Sequence, residues 1–190
     1  MGREYERKYR GDAAVIQAIQ EKYAPFTPIT METTYYDTPD LKLRLRHWTL
    51  RKRLENGVSV CTVKIPLPDG SRGEWETVSA SLMAGVLALV SQGAPEELLA
   101  LTAGGVTPFC GARFTRLARE ISLPQGSVEL ALDQGCLLGG GKERPLCEIE
   151  VELKSGEDGV AAAFAEDLAR EFGLVPELKS KLARAMELAL

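Results

Sequence analysis

Along most of this chain apolar and polar positions alternate with a period of two. In 4–9, Glu4, Glu6 and Lys8 fall on one side of an extended strand, and Tyr5, Arg7 and Tyr9 on the other. Far along the chain Glu148, Glu150 and Glu152 alternate with the apolar Cys147, Ile149, Val151 and Leu153. Strands are predicted at 2–10, 31–37, 50–55, 58–65, 72–79, 107–119, 122–124 with 127–133, and 144–154. Asn56-Gly57, Asp69-Gly70, Pro124-Gln125-Gly126 and Gly139-Gly140-Gly141 supply turns between them. Leu41, Leu43 and Leu45 are odd-numbered apolar positions, whereas Trp48 and Leu50 are even. One strand cannot hold both parities, so a turn or bulge is predicted near His47.

Helical periods occupy the rest. Gly11-Asp12 opens a helix to about Tyr23, with Val15, Ile16 and Ile19 on one stripe, and Pro25 and Pro28 end it. The Ala- and Leu-rich 81–103 reads as two helices broken at Gln92-Gly93-Ala94-Pro95. Val160, Phe164, Leu168 and Phe172 mark another helix, stopped by Gly173. Leu178, Leu182, Ala185, Met186 and Ala189 stripe a last one. The fold class is therefore α+β. About eight strands in hairpin order predict an antiparallel sheet closed into a barrel, with helices packed outside.

At 190 residues the chain is read as a single domain, 1–190, with a real core. No apolar run approaches the roughly 20 residues of a membrane span, and MGREYERKYR lacks a signal-peptide core. The four cysteines form no CxxC pair and there is one histidine, so zinc is not expected. Reduced, structural cysteines in a cytoplasmic protein are the expectation. A net charge of −4 argues against non-specific nucleic-acid binding, yet 42–53 is strongly basic and allows a local anion site.

The charged rows carry the chemistry. Two acidic strands brought together repel unless cations lie between them, which describes a metal site. With the apolar faces turned towards the helices, the charged faces point inward, where unpaired charges cost several kcal/mol each. A hydrated passage for a metal-bound polyanion accounts for such a lining. Periodicity alone fits an open sheet with solvated charged faces equally well. Gly139-Gly140-Gly141 before Lys142 lacks Walker spacing and reads as a hairpin turn.

These residues resemble the CYTH superfamily, the triphosphate tunnel metalloenzymes. Glu4, Glu6 and Lys8 match its ExExK signature. Tyr36-Asp37-Thr38-Pro39, Leu50-Arg51-Lys52-Arg53, Thr62-Val63-Lys64 and Arg72-Gly73-Glu74-Trp75-Glu76 look like its next elements in order. Phe114-Thr115-Arg116, Leu132-Asp133-Gln134-Gly135, Glu148-Ile149-Glu150 and Ser180-Lys181 look like its later ones. The resemblance implies an eight-stranded antiparallel tunnel and a divalent-metal-dependent triphosphatase using Mg²⁺ or Mn²⁺, with two ions. It implies Glu4, Glu6, Asp133, Glu148 and Glu150 as metal ligands, and Lys8, Arg51, Arg53, Lys64, Arg116 and Lys181 as phosphate ligands. Glu6, Glu150 and Lys8 are the residues expected to act most directly in catalysis. Glu74 and Glu76 are expected to orient neighbouring cations, and Glu152 shares the face of Glu150. Tyr36 and Asp37 have an equally good reading as a strand end and turn.

The expected partner is a small molecule carrying a triphosphate, with no membrane and no specific nucleic acid; the oligomeric state is open, a homodimer included. Within the resemblance three activities compete: hydrolysis of inorganic tripolyphosphate, hydrolysis of thiamine triphosphate, and class IV adenylate cyclisation. His47-Trp48 looks like the thiamine triphosphatase segment, but the parity of Trp48 turns it away from Arg51. Tripolyphosphate therefore ranks first. A polyphosphate- or nucleotide-binding module without catalysis is the alternative of a different class.

Overall fold

The computed structural model describes residues 5–67 and 72–189. Its strands are β1 (Glu6–Arg10), β2 (Thr27–Asp37), β3 (Thr49–Glu55), β4 (Val58–Pro66), β5 (Arg72–Val78), β6 (Thr107–Leu123), β7 (Gly126–Gly139), β8 (Lys142–Ser155) and β9 (Val175–Pro176). Its helices are α1 (Ala13–Tyr23), α2 (Lys42–Leu45), α3 (Leu82–Ser91), α4 (Glu97–Thr102), α5 (Asp158–Phe172) and α6 (Lys181–Ala189). Glu4 and the turn Asp69-Gly70 lie outside the described residues.

All pairings are antiparallel, in the order β5-β4-β3-β2-β6-β7-β8-β1-β9. The α+β class and the antiparallel sheet stand. The ladder has nine strands rather than eight, and among the described residues no pairing joins β5 to β9. It is an open sheet there, in place of the closed barrel that hairpin order predicts. The ninth strand is two residues long, too short to show a period, and exists because Val175 and Pro176 pair with Arg10 and Tyr9.

Register sorts the two faces. Lys8 lies opposite Glu150, Asp133 opposite Glu148, and Arg116 opposite Asp133. Across β2, Thr33 joins Ala112 to Arg53, and Lys64 lies opposite Glu74. Directly paired residues share a face, so the charged rows of β1 and of β3 to β8 form one surface. The opposite face is apolar. Tyr9, Leu130, Leu132, Ile149 and Val151 pack on Ile16 and Ile19 of α1 and on Ala165 and Leu168 of α5. Leu50, Cys61, Val63 and Trp75 pack on Val86 and Leu89 of α3 and on Leu98 of α4.

One helix breaks the expected rule that helices lie outside. Ala185 of α6, with Leu182 and Met186, packs on Met31, Ala112, Phe114, Leu137 and Leu146, which share the charged face. That approach needs glycine at 139, where a Cβ would meet the carbonyl oxygen of Ala185 at 2.3 Å. Ser180 starts the helix by accepting the N–H of Ala183 at 3.1 Å. Leu178, expected on the α6 stripe, precedes the helix and is 91% exposed.

The parity change near His47 has a local cause. Residues 42–45 form the short helix α2 rather than a strand, bracketed by left-handed Leu41 (φ 59°) and His47 (φ 58°). The buried Asp37 carboxylate accepts the N–H groups of Thr38 at 2.8 Å and Leu43 at 3.0 Å, so it builds this turn. Trp48 packs with the core of α3 and α4, on the side away from Arg51. Gly140 and Gly141, with φ of 58° and 72°, form the hairpin turn expected of the glycine triplet.

Cys61 and Cys110 are buried and free. Burial pushes their thiols up to about 11 and about 12, only partly offset by Lys52 and Arg44 respectively. Both are expected to resist iodoacetamide at pH 8 in the folded protein and to react once guanidinium unfolds it, read by mass spectrometry. Fast labelling of either thiol before unfolding would contradict its placement.

No helix among the described residues is long and apolar enough to cross a membrane.

Candidate active site

β8 sets Glu148 and Glu150 two residues apart on the charged face, and β7 brings Asp133 opposite Glu148. One oxygen from each of Asp133, Glu148 and Glu150 lies within 4.8 Å of the others. Asp133 and Glu148 are 0% exposed. α6 delivers Lys181 into this cluster. Its Nζ is 2.8 Å from Asp133 and 2.6 Å from Glu150, and it also contacts Glu148. Arg116 donates through Nε and Nη2 to the two oxygens of Asp133, both at 2.8 Å, and reaches Glu150. Arg184 contacts Glu148 from the other side. Three carboxylates thus meet three cations in a space nearly free of solvent.

Burial and pairing pull these groups apart. Burial pushes Glu148 up to about 7, against the pull of Lys181. Glu150 suffers the same burial, but Lys181 and Arg116 together hold it well below the usual carboxylate range. Burial opposes the charge on Lys181, yet Glu150, Asp133 and Glu148 raise it well above an ordinary ammonium. The encircled ammonium shows that the cluster accommodates a cation. Its donors are all carboxylate oxygens, the set that suits Mg²⁺ or Mn²⁺ rather than a soft metal.

A second group lies across β2. Arg51, Arg53 and Lys64 are mostly buried, and the Nε atoms of Arg51 and Arg53 are buried with no hydrogen-bond partner. A buried donor left unmade costs about 1–3 kcal/mol, so this arrangement is suited to an acceptor brought by a ligand. Burial, then neighbouring Arg51, pull Arg53 below an ordinary guanidinium. Glu74 stands 3.1 Å from Lys64 and 3.6 Å from Arg51, and Glu76 accepts from Thr62 at 3.0 Å. Glu74 is thus paired with the basic row, whereas Glu76 is bound to Thr62.

The expected carboxylate set is divided by the fold. Asp133, Glu148 and Glu150 come together. Glu6 lies one residue pair further along, opposite Glu152, with Lys8 at 3.4 Å. Glu152 is therefore in the row of Glu6, beside Lys154 at 3.0 Å. Asp37 is taken up by the α2 turn. Arg184 and Glu177 were not legible as site residues. The one signal for Arg184 is its i, i+3 spacing from Lys181, which puts both on one helix face.

A family model of the CYTH domain matches residues 2–186. The chain belongs to the CYTH family. Among CYTH relatives, an inorganic triphosphatase of Haemophilus influenzae is 31% identical over 162 residues, 80% of this chain and 44% of that protein. This CYTH chain therefore spans less than half the length of that relative. An adenylate cyclase candidate of Bacillus halodurans superposes with a TM-score of 0.68 at 24% identity, covering 97% of this chain and 98% of its own. A Hippeastrum adenylyl cyclase candidate with a dominant triphosphatase activity gives 0.67 at 18% identity, covering 96% and 94%. At such identities these two likenesses show the fold.

Proposed function

We propose that this protein hydrolyses the terminal phosphate of a triphosphate, with inorganic tripolyphosphate as its best substrate. One observation carries the reading: a buried triad of carboxylates around an ammonium shares a sheet face with arginines whose Nε atoms lack partners. A metal site beside a polyanion site is what triphosphate chemistry requires. The resemblance to an inorganic triphosphatase supports the same class.

Asp133, Glu148 and Glu150 would hold Mg²⁺ or Mn²⁺, with Glu4 and Glu6 as further carboxylates, and the ion would supply charge neutralisation of the phosphates and a more acidic water. Arg51 and Arg53 grip phosphate oxygens through their forks, while Lys8, Lys64 and Lys181 act as point charges. Glu74 keeps Arg51 and Lys64 in place before the anion arrives. Arg116 fixes the Asp133 carboxylate by its paired hydrogen bonds and adds charge beside the phosphates. Burial of this face keeps these interactions strong.

Trp48 lies on the opposite face, and the apolar residues of the charged face, Phe114 among them, are buried under α6, which leaves carboxylates, guanidiniums and ammoniums as its charged groups. Such a site favours the substrate with least bulk beyond its phosphates. Phosphate release from tripolyphosphate, ATP and thiamine triphosphate, measured in parallel, tests this. Tripolyphosphate is expected to have a kcat/KM at least about tenfold above the others, roughly 1.4 kcal/mol. EDTA should abolish release and Mg²⁺ or Mn²⁺ restore it. Cyclic AMP with pyrophosphate from ATP would move the protein to the cyclase reading; tight binding with no product would make it a binding module.

A further inference from the structure

α6 carries one more cation than the resemblance assigns. Arg184 follows Lys181 by three residues, with its Nη2 on Glu148 and its Nη1 3.7 Å from Glu177. Its side chain is 13% exposed, and its Nε is buried without a hydrogen-bond partner. Arg51 and Arg53 on the charged face, and Arg44 on α2, share that property. Glu177 is itself 6% exposed and tightly tied. Its carboxylate accepts the N–H of Lys179 at 2.9 Å and Arg10 Nε at 3.0 Å. Its own N–H donates to the carbonyl of Lys8 at 2.9 Å. The start of α6 is thereby anchored to β1, and Arg184 is held between two carboxylates.

In the cluster Asp133, Glu148 and Glu150 face Arg116, Lys181 and Arg184, with Glu177 on the far side of Arg184. A divalent ion on the same carboxylates repels the two α6 cations across a few ångströms of poorly screened space. A displaced guanidinium with a spare buried donor has its best new partner in a phosphate oxygen. We propose that Arg184 is a second substrate-binding cation on α6, kept on Glu148 until a divalent ion takes that carboxylate and then passed to the triphosphate. The inference rests on the metal-and-triphosphate reading above. It makes Arg184 a competitor of the metal when no anion is present and a partner of the anion when metal is bound. Metal and triphosphate then strengthen each other's binding, by linkage.

Opposite signs on the two sides make this testable without turnover. Mn²⁺ binding alone is read by EPR titration, and imidotriphosphate binding at saturating Mn²⁺ by calorimetry. Arg184→Gln is expected to tighten Mn²⁺ by about tenfold and to weaken imidotriphosphate by about tenfold. Arg184→Lys keeps the charge and loses the fork, so Mn²⁺ affinity should stay within about threefold while the anion is still bound more weakly. A residue that only supports the fold would weaken both ligands together, and that result, or unchanged Mn²⁺ binding in Arg184→Gln, overturns the proposal. Thermal unfolding checks each variant. If Arg184→Gln does not fold, undiminished imidotriphosphate binding by Arg184→Lys overturns it alone. Failure of the wild type to bind Mn²⁺ or imidotriphosphate at all is a different result and removes the functional reading beneath.

Discussion

Glu150→Gln is expected to lower tripolyphosphate turnover by at least about a thousandfold, equal to roughly 4 kcal/mol of transition-state stabilisation. Gln preserves the volume and one acceptor oxygen, so the change removes charge. That charge is held ionised, because Lys181 at 2.6 Å and Arg116 outweigh the cost of burial. Losing it leaves Asp133 and Glu148 as the remaining carboxylates of the triad, with one negative charge fewer to hold a divalent ion. The Lys181 ammonium also loses one of its three carboxylate partners and its set position. Phosphate release at saturating Mg²⁺ measures the effect, with circular dichroism and thermal unfolding to show an intact fold. Excess Mn²⁺ should recover part of the rate. Turnover within about threefold of wild type would separate the carboxylate cluster from catalysis and leave it as an ion-pair network.

The second large effect is on stability. Arg116→Ala is expected to cost about 3–5 kcal/mol in metal-free protein, because it strips a buried anion of its main partner. Arg116 spans both oxygens of Asp133 at 2.8 Å and also reaches Glu150. Asp133 is 0% exposed, so water cannot replace the guanidinium, and Lys181 would have to serve alone. Arg116→Lys should recover only part of the loss, since one ammonium cannot reproduce a paired fork. Adding Asp133→Asn should shrink the penalty by removing the stranded charge. Urea unfolding at pH 7 of the single and double variants measures this. A loss below about 1 kcal/mol for Arg116→Ala would mean that Asp133 is reached by water.

Both effects hang on residues whose types were legible and whose meeting was not. Alternation in 4–9 and 147–153 already separated a charged face from an apolar one, because strand periodicity is a property of a few consecutive residues. The same local logic marked Asp12 as the start of α1 and Gly173 as the stop of α5, and both cap those helices. It failed at Leu41, Leu43 and Leu45, where a period of two hid a four-residue helix. There the deciding contact comes from outside the segment, in the Asp37 carboxylate that gathers the N–H groups of Thr38 and Leu43. Trp48 could be turned from Arg51 by counting, since opposite parities on one strand need no tertiary information.

The sequence by itself determined the faces, the consecutive runs β2 to β5 and β6 to β8, and the family, but not the crossovers that set β2 beside β6 and β1 beside β8. ExExK, the LRxR strand and the later acidic elements sit in one order along the chain, and backbone chemistry forces each into a strand or turn. Only the tertiary structure decided which charges meet. Register across β6, β7 and β8 gathers Asp133, Glu148 and Glu150 and leaves Glu6 with Glu152. The two-residue β9 and the placement of α6 on the charged face are equally invisible in one dimension. They depend on a glycine that admits the Ala185 carbonyl and on Glu177 tying the chain to β1. Side-chain periodicity is fixed over a few residues, whereas the ion pairs of this cluster depend on distances between separate segments, such as Arg184 and Glu148 on α6 and β8. That is why Arg184 could be read as a helix residue but not as a cation facing Glu148.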